Sequence, residues 1–539
     1  MYINPQSHRY PSLRNVVYAR NGMACSSQPL VTSIGVQTLA KGGNAMDAAI
    51  AMAGAIALVE PTSNGLGGDA FALIWWNGKL YGLNASGTAP HKLTAEAVKA
   101  RGYKEMPMTG WTTPLVPGMP KACAMVQRRF CTMTLEELWK PAIRAAKFGY
   151  PIQPNTEKLW ADDFERICAV AEKEGKEPYR GWYETFTKDG KPYKAGDLFK
   201  WEAMAETLLE LAETDCDSLY EGRLADEICK FSDETGGFFQ KSDFEEYSAK
   251  WVDPISTNYK GYDICEIPPN GHGITVLMAL NILKGMDLDK DRENPEVYHK
   301  MIEALKLAFI DAKTYVADPR YMKTRVEDML SEAYAEKRRA LIGKEAIMPF
   351  PGNPSGSDTV YFCTADAQGN MVSWIQSNYR QFGSGIVIPG TGIALQNRAS
   401  NFSLDPASDN FLEGGKRSYH TIIPGFMCKD GKAVGPFGVM GGFMQPQGHL
   451  MVVTNTVDFC MNPQEALDAP RFQWTGGKHV QLETEVPAAV AAELKSRGHE
   501  IEILADRTYM GRGQIIWRTD NGMLCGGTES RADGSIGVL

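Results

Sequence analysis

Thr359 is the residue whose type and position are best suited to chemistry in this sequence. It follows a stretch rich in proline and glycine and opens a strand-like run, TVYFCTA. If the chain is cut before it, Thr359 carries both a hydroxyl group and a free α-amino group. An α-amine has a pKa near neutrality, so it can accept the hydroxyl proton while the oxygen attacks a carbonyl. Gly441 and Gly442 offer two successive backbone N–H groups that can hold the resulting oxyanion.

Other catalytic classes find little support. The sequence has no G-x-S-x-G elbow, no H-E-x-x-H motif, no P-loop and no dinucleotide fingerprint. The eight histidines, among them His272, His420 and His449, are far apart and lack the spacing of a metal site. We therefore expect neither a metal ion nor an organic cofactor. A threonine after a loop and a Gly-Gly pair also occur in ordinary turns, so these residues alone do not decide the chemistry.

The composition of the chain indicates which binding partners and which cell compartment to expect. A net charge of −9 argues against nucleic acid or an anionic membrane as the main partner. The 11 cysteines, without any C-x-x-C pair, fit reduced thiols better than a disulfide framework. The first residues do not resemble a signal peptide, and the longest uncharged apolar run, 48–59, is too short to span a bilayer. These features predict a cytoplasmic protein.

The first half of the chain predicts mainly helices. Residues 35–59 form an apolar helical pattern that is interrupted near Gly42-Gly43, and its second half should be buried on all sides. Two strand-like runs then flank Asn77-Gly78, a typical hairpin turn. The stretch 119–345 is charged and mostly helical in pattern. Within it, 295–316 has the three-to-four spacing of an amphipathic helix.

The pattern changes at 349–358, PFPGNPSGSD, whose prolines and glycines predict an exposed loop. A strand-like run beginning at Thr359, a turn at Asp366 to Asn370 and a second such run together predict a hairpin. Beyond it the chain is rich in strands and glycine, with a helix predicted over about 487–497. Helices first and strands later suit an α+β layered fold.

Six blocks of the sequence resemble the γ-glutamyltransferase family of N-terminal-nucleophile (Ntn) hydrolases. They occur in that family's order and at similar spacing, and any one block would be a weak signal. The blocks are residues 42–73, 303–319, 359–370, 382–397, 438–449 and 466–474.

The resemblance implies a four-layer αββα sandwich of the Ntn-hydrolase type. It implies autocatalytic cleavage between Asp358 and Thr359, which gives a large chain of 1–358 and a small chain of 359–539 that together form one domain. The two chains would remain associated as a heterodimer, and a higher oligomer is left open. Thr359 would act on a small-molecule amide through an ester, with water or a second amine releasing the acyl group. Ser377 lies where the family has a hydroxyl residue that hydrogen-bonds the nucleophile.

Several positions depart from the family in the part that binds substrate. Ser86 stands where the family has an arginine for the α-carboxylate of a glutamyl group. Arg398 and Asn401 stand where it has side chains for the α-ammonium, and Tyr379 replaces an amide side chain. Because an arginine repels an ammonium group, Arg398 suits a carboxylate instead. The alternative is that Arg398 forms a structural ion pair.

Two further differences concern the shape of the site. His420 and Thr421 lie where relatives that hydrolyse glutathione carry two serines. The segment between Asn401 and Lys416 is short, which predicts a more open site. This pattern is similar to a divergent branch of the family that includes oxamate amidohydrolase and acylases for dicarboxylic acyl groups.

Three functions therefore stay open. Hydrolysis of γ-glutamyl amides such as glutathione is the family default. Hydrolysis of an amide whose acyl group carries a carboxylate but no α-ammonium is the alternative favoured by the departures. A non-catalytic relative that binds a small anion is the third, although Thr359 and the Gly441-Gly442 pair are both present.

Overall fold

The computed structural model describes Tyr10, residues 14–349 and residues 359–539. Two seven-stranded antiparallel sheets lie face to face, and helices cover the outer face of each. The predicted α+β class and the αββα sandwich are confirmed. The linker predicted at 349–358 and the predicted cut at Asp358 lie outside the described residues, apart from Pro349.

One sheet contains the strand that follows Thr359 and is called the Thr359 sheet. In spatial order its strands are Ser535–Val538, Gly22–Ser26, Val360–Asp366, Met371–Ser377, Asp69–Trp76, Lys79–Ala85 and Lys250–Val252. Strands from both sides of residue 359 are hydrogen-bonded neighbours. A cut before Thr359 would therefore leave the ladder of this sheet intact.

The other sheet leads into Gly441 and is called the Gly441 sheet. Its strands, in spatial order, are Val17–Ala19, Leu524–Thr528, Arg512–Arg518, Lys432–Met440, Gly425–Lys429, Tyr262–Glu266 and Ile255–Tyr259. A smaller sheet contains Phe472–Gly476, His479–Glu483 and Glu500–Leu504. Short pairs join Tyr150–Pro151 to Leu198–Phe199 and Val387–Ile388 to Ile393–Ala394.

Helices form the two outer layers. The layer on the Thr359 sheet contains Pro29–Ala40, Ala45–Val59, Met119–Phe130 and Leu135–Phe148. The layer on the Gly441 sheet contains Gly273–Leu283, Pro295–Tyr315, Met444–Val457 and Pro463–Asp468. The remaining helices are Ala95–Ala100, Pro154–Glu174, Arg180–Phe186, Glu202–Glu213, Arg223–Thr235, Lys241–Glu245, Val326–Met329, Glu332–Arg339 and Ala488–Ser496. Among the described helices, none combines the length and apolar character needed to cross a bilayer.

Helix Ala45–Val59 shows how local sequence sets an element. All of its residues are buried, as its apolar pattern predicted. The Asn44 side chain accepts hydrogen bonds from the N–H groups of Met46 and Asp47, and the Asp47 carboxylate accepts from the Asn44 N–H at 2.8 Å. This capping box satisfies backbone donors that a helix start leaves unpaired.

Most predicted elements are confirmed with small shifts. The pattern at 35–59 is two helices, because Gly42 adopts φ +95° and interrupts the first. That helix begins earlier than predicted, at Pro29, whose fixed φ suits a first helical turn. The Asn77-Gly78 hairpin is present, and the predicted helix at 295–316 spans Pro295–Tyr315.

The prediction that 119–345 is mostly helical missed five strands, two of which are the short pair Tyr150–Pro151 and Leu198–Phe199. Lys250–Val252, Ile255–Tyr259 and Tyr262–Glu266 lie in that stretch, and the last two pair as a hairpin. Lys260 and Gly261 form its turn at φ +50° and +89°. Of these three strands only Ile255–Tyr259 alternates in burial, so the sequence gives a weak signal with a period of two.

Tyr361 and Gly438 bring the two sheets close together at one end of the sandwich. A methyl group on Gly438 would lie 2.4 Å from the Tyr361 ring, so only glycine permits this packing. Tyr361 lies at the start of its strand, and Gly438 lies near the end of Lys432–Met440. Their contact therefore brings Thr359 and Gly441 to the same end of the molecule.

Candidate active site

Thr359 is buried and lies directly before the Val360–Asp366 strand. In the antiparallel hairpin Val360 pairs with Gln376, so the register carries Thr359 towards Ser377. The Thr359 Oγ1 donates a hydrogen bond to Ser377 Oγ at 3.2 Å. The same Ser377 oxygen accepts from the Tyr379 backbone N–H at 2.7 Å. The hairpin thus positions the two hydroxyl groups through local pairing.

Gln445 is a neighbour of Thr359 that the sequence analysis missed. Its Nε2 donates to Thr359 Oγ1 at 3.2 Å, and its Oε1 accepts from the Ile423 N–H at 2.9 Å. Because the Ile423 amide can only donate, it fixes which end of the carboxamide faces the hydroxyl. The signal was a polar side chain in the first turn of a helix that begins just after the Gly-Gly pair.

Gly441 and Gly442 form the turn between the Lys432–Met440 strand and the Met444–Val457 helix. Their φ values of +131° and +57° suit glycine. Their carbonyls accept from the amides of Met444 and Gln445. Among the described residues neither glycine N–H has an acceptor, so both remain available to an oxyanion. The hydrogen bond from Gln445 to Thr359 places the nucleophile candidate beside this turn.

Arg398 is fully buried yet only partly satisfied. Its Nη1 donates to Thr421 Oγ1, and its guanidinium lies over the Tyr379 ring at 4.7 Å. Its Nε and Nη2 have no acceptor among the described residues. Burial lowers the pKa of Arg398 to about 10, which leaves it charged at neutral pH. Nε–H and Nη2–H form the parallel edge that binds a carboxylate bidentately.

Asp69 supplies negative charge near Arg398 and was also missed. Its Oδ2 accepts from His420 Nε2 at 2.9 Å, and its Oδ1 accepts from the Gly87 N–H at 3.0 Å. Burial raises the pKa of Asp69 to about 7, although Arg398 opposes the shift. Burial, with help from Arg398, holds the pKa of His420 well below its usual range. Both Asp69 oxygens therefore already have donors.

Two other predicted binding residues, Asn401 and Ser86, have different surroundings. The side-chain amide of Asn401 lies near the Tyr379 phenol, and its Nδ2 has no acceptor among the described residues. The Ser86 hydroxyl donates to Asn84 Oδ1 at 2.7 Å and accepts from Arg417 at 2.9 Å. Arg417 thus stands beside the position where the resemblance places an arginine.

His299, Glu303 and His499 form a second polar cluster outside this centre, and only His499 is distant in sequence from the other two. His299 Nδ1 and His499 Nε2 are 2.9 Å apart, and Glu303 lies within reach of both rings. The Lys306 ammonium is 2.7 Å from the Glu303 carboxylate and 3.4 Å from His499 Nδ1. Lys306 supplies the positive charge in this cluster, as a structural ion pair would.

Gln445→Glu is expected to lower kcat about fivefold and to leave KM nearly unchanged. The substitution keeps the shape but replaces the Nε2 donor with a carboxylate, and one lost hydrogen bond costs about 1 kcal/mol. Gln447→Glu is the matched control, since Gln447 lies on the same helix and bonds Phe443 and Trp474 instead. Steady-state kinetics would measure both variants. An unchanged kcat in Gln445→Glu would contradict this role.

Comparison with known proteins extends over the whole described chain. A family model described as gamma-glutamyltranspeptidase matches residues 31–539. The crystal structure of a cephalosporin acylase from Bacillus halodurans superposes with a TM-score of 0.95 at 51% identity, covering 100% of this chain and 99% of that one. The glutathione hydrolase-like YwrD proenzyme of Bacillus subtilis is 34% identical over 96% of this chain and 98% of its own. The oxamate amidohydrolase proenzyme of Klebsiella pneumoniae is 31% identical, also over 96% and 98%.

Proposed function

This chain belongs to the gamma-glutamyltranspeptidase family of Ntn-hydrolases, and we propose that it is an amidohydrolase activated by cleavage before Thr359. Its preferred acyl group, in this proposal, carries a carboxylate and no α-ammonium. The observation that carries the choice of substrate is the buried Arg398, whose Nε/Nη2 edge has no acceptor among the described residues.

Activation begins with the Thr359 hydroxyl attacking the carbonyl carbon of the Asp358–Thr359 peptide bond. The C–N bond breaks, the acyl group moves to the threonine oxygen, and the nitrogen becomes the α-amine. Water then hydrolyses the ester and frees the new chain end. Relatives named as proenzymes support this step, as does the hydrogen bonding of Thr359 to Ser377 and Gln445.

Turnover repeats this chemistry on a substrate amide. The Thr359 oxygen attacks the carbonyl while its proton passes to the α-amine. The N–H groups of Gly441 and Gly442 hold the oxyanion, which is worth several kcal/mol per well-placed donor in related sites. The α-amine returns the proton to the leaving nitrogen, the C–N bond breaks, and an acyl-Thr359 ester remains. Water or an acceptor amine then releases the acyl group.

The charge distribution around Arg398 favours a carboxylate. A buried guanidinium with two unmet N–H groups gains from a bidentate anion, because the alternative is an uncompensated charge away from water. A glutamyl ammonium would need an acceptor near it. Asp69 is the nearby carboxylate, and both of its oxygens are already bound by donors.

The names of relatives point in two directions. Cephalosporin acylase and oxamate amidohydrolase are amide-cleaving enzymes, and oxamate itself carries a carboxylate next to its amide and no ammonium. The name of the Bacillus subtilis relative favours glutathione hydrolysis as a second candidate function.

The test combines intact mass with a panel of amides. Fresh and aged protein should give two fragments, the smaller beginning at Thr359. The panel compares γ-glutamyl-4-nitroanilide, glutaryl-4-nitroanilide and butyryl-4-nitroanilide, with oxamate followed by ammonia release. We expect the glutaryl donor to exceed the other two anilides. A γ-glutamyl rate above the glutaryl rate would favour the second candidate, and a single uncut species without turnover would refute the enzyme mechanism.

A further inference from the structure

Lys313 is a second cation close to the candidate active site that the chemistry above does not use. It lies on the Pro295–Tyr315 helix, and its ammonium sits over the Phe443 ring at 4.6 Å. Among the described residues it makes neither an ion pair nor a hydrogen bond. Partial burial lowers the pKa of Lys313 to about 8, so most of it remains charged at neutral pH.

Lys313 and Arg398 each lie over an aromatic ring near the candidate active site. Arg398 lies over Tyr379, and Lys313 lies over Phe443. Tyr419 stacks on Phe443 with ring centres 6.3 Å apart, and its phenol reaches His272 Nδ1 at 3.2 Å. Each cation is thus stabilised by the face of an aromatic ring.

His272 lies close enough to both cations for their charges to affect its pKa. Burial holds the pKa of His272 well below its usual range, and the positive charges of Arg398 and Lys313 both add to this effect. The imidazole ring packs edge-on against Tyr419 and Phe443. A neutral imidazole therefore packs against Tyr419 and Phe443, where the charges of both cations reach it.

Thr359 is linked to each cation through a different hydrogen-bond partner. Ser377 accepts hydrogen bonds from Thr359 and from the Tyr379 N–H, and the Tyr379 ring lies against Arg398. Gln445 donates to Thr359 and its N–H bonds the Gly442 carbonyl, and the neighbouring Phe443 ring lies against Lys313. In the proposed reaction Arg398 holds the acyl side of the amide. Lys313 lies over the ring of Phe443, the residue after Gly442, and is then left to bind the amine side of the substrate.

We propose that Lys313 binds a carboxylate on the leaving amine, so that the preferred substrate is an amide with one carboxylate on each side of the scissile bond. The inference rests on the proposed function and deepens it. An ammonium is a compact point charge, which suits a carboxylate held at a variable angle. The amine product would then be an amino acid or an aminobenzoate.

The experiment compares two chromogenic donors that differ only in the leaving amine. Glutaryl-4-nitroanilide has no carboxylate on the amine, whereas glutaryl-3-carboxy-4-nitroanilide has one. We expect the wild-type protein to prefer the carboxylated donor by about tenfold in kcat/KM. In Lys313→Met the ratio should fall close to one, and in Lys313→Arg it should be largely kept. Lys300→Met is the matched control, because Lys300 is on the same helix and pairs with Glu296.

Each outcome is decisive. A ratio in Lys313→Met equal to that of the wild type, or a wild-type ratio of one, would overturn the inference while leaving the proposed function standing. If the wild type hydrolyses neither donor, this inference fails, and if it also releases no ammonia from oxamate, the proposed function fails with it. The melting temperature of Lys313→Met shows whether the variant is folded, and the ratio is independent of the amount of active protein.

Discussion

Thr359→Ala is expected to give a single uncut chain of 59.4 kDa with no amide hydrolysis. The substitution removes the oxygen that attacks both the Asp358–Thr359 bond and the substrate. Without the cut there is also no α-amine to act as base. Because nucleophile and base lie on one residue, loss of rate should reach at least about a thousandfold. Intact mass and the glutaryl anilide assay would measure the two effects on one sample.

Two further variants make this test specific. Thr359→Ser keeps the hydroxyl group and should still be cut, more slowly than the wild type. Thr364→Ala is the matched control in the same strand, since the Thr364 hydroxyl donates to the Ala45 carbonyl at 2.7 Å and does not contact Thr359. It should be cut and active. Cleavage at the same bond in Thr359→Ala would show that another group performs the reaction.

Arg398→Gln should lower kcat/KM for glutaryl-4-nitroanilide by tenfold or more. Removing one member of a buried charge pair typically costs about 2–5 kcal/mol, and each 1.4 kcal/mol is a factor of ten. Arg398→Lys should lose less, because it keeps the charge but not the two parallel N–H groups. Kinetics with each variant would separate the contribution of charge from that of geometry.

Butyryl-4-nitroanilide is the matched substrate, since it is the glutaryl donor without its terminal carboxylate. If Arg398 binds that carboxylate, the ratio of the glutaryl rate to the butyryl rate should decrease sharply in Arg398→Gln. Equal losses on both donors would mean that Arg398 only supports the fold, through Thr421 and Tyr379. A gain on γ-glutamyl-4-nitroanilide would indicate that Arg398 excludes the ammonium group.

Elements with a local cause were predictable from the sequence. The run Ala45–Val59 forms a buried helix because its one charged residue, Asp47, lies in the first turn and the rest of its surface is apolar. The turns at Asn77-Gly78 and at Asp366 to Asn370 form hairpins because strand-forming residues flank a turn that contains φ > 0 positions. The hairpin register also brings Ser377 to Thr359, eighteen residues away.

Partners that meet only through packing were not predictable in this way. Gln445 approaches Thr359 because Tyr361 and Gly438 bring two different sheets together, and neither run of sequence encodes the other. Asp69 and His420 are 351 positions apart, and their contact depends on how both sheets stack. A charge pattern along the chain gives no sign that such groups will be buried side by side.

The sequence by itself determined the layered α+β fold, the hairpin that presents Thr359 and the family to which the chain belongs, because periodicity, turns and ordered motifs are properties of neighbouring residues. The tertiary structure alone decided which polar groups are satisfied. Among the described residues it left Arg398 and Lys313 without an ion pair, each over an aromatic ring, and it bound Asp69 to His420. The physical reason is that the cost of burying a charge depends on every group packed around it, and those groups come from distant parts of the chain.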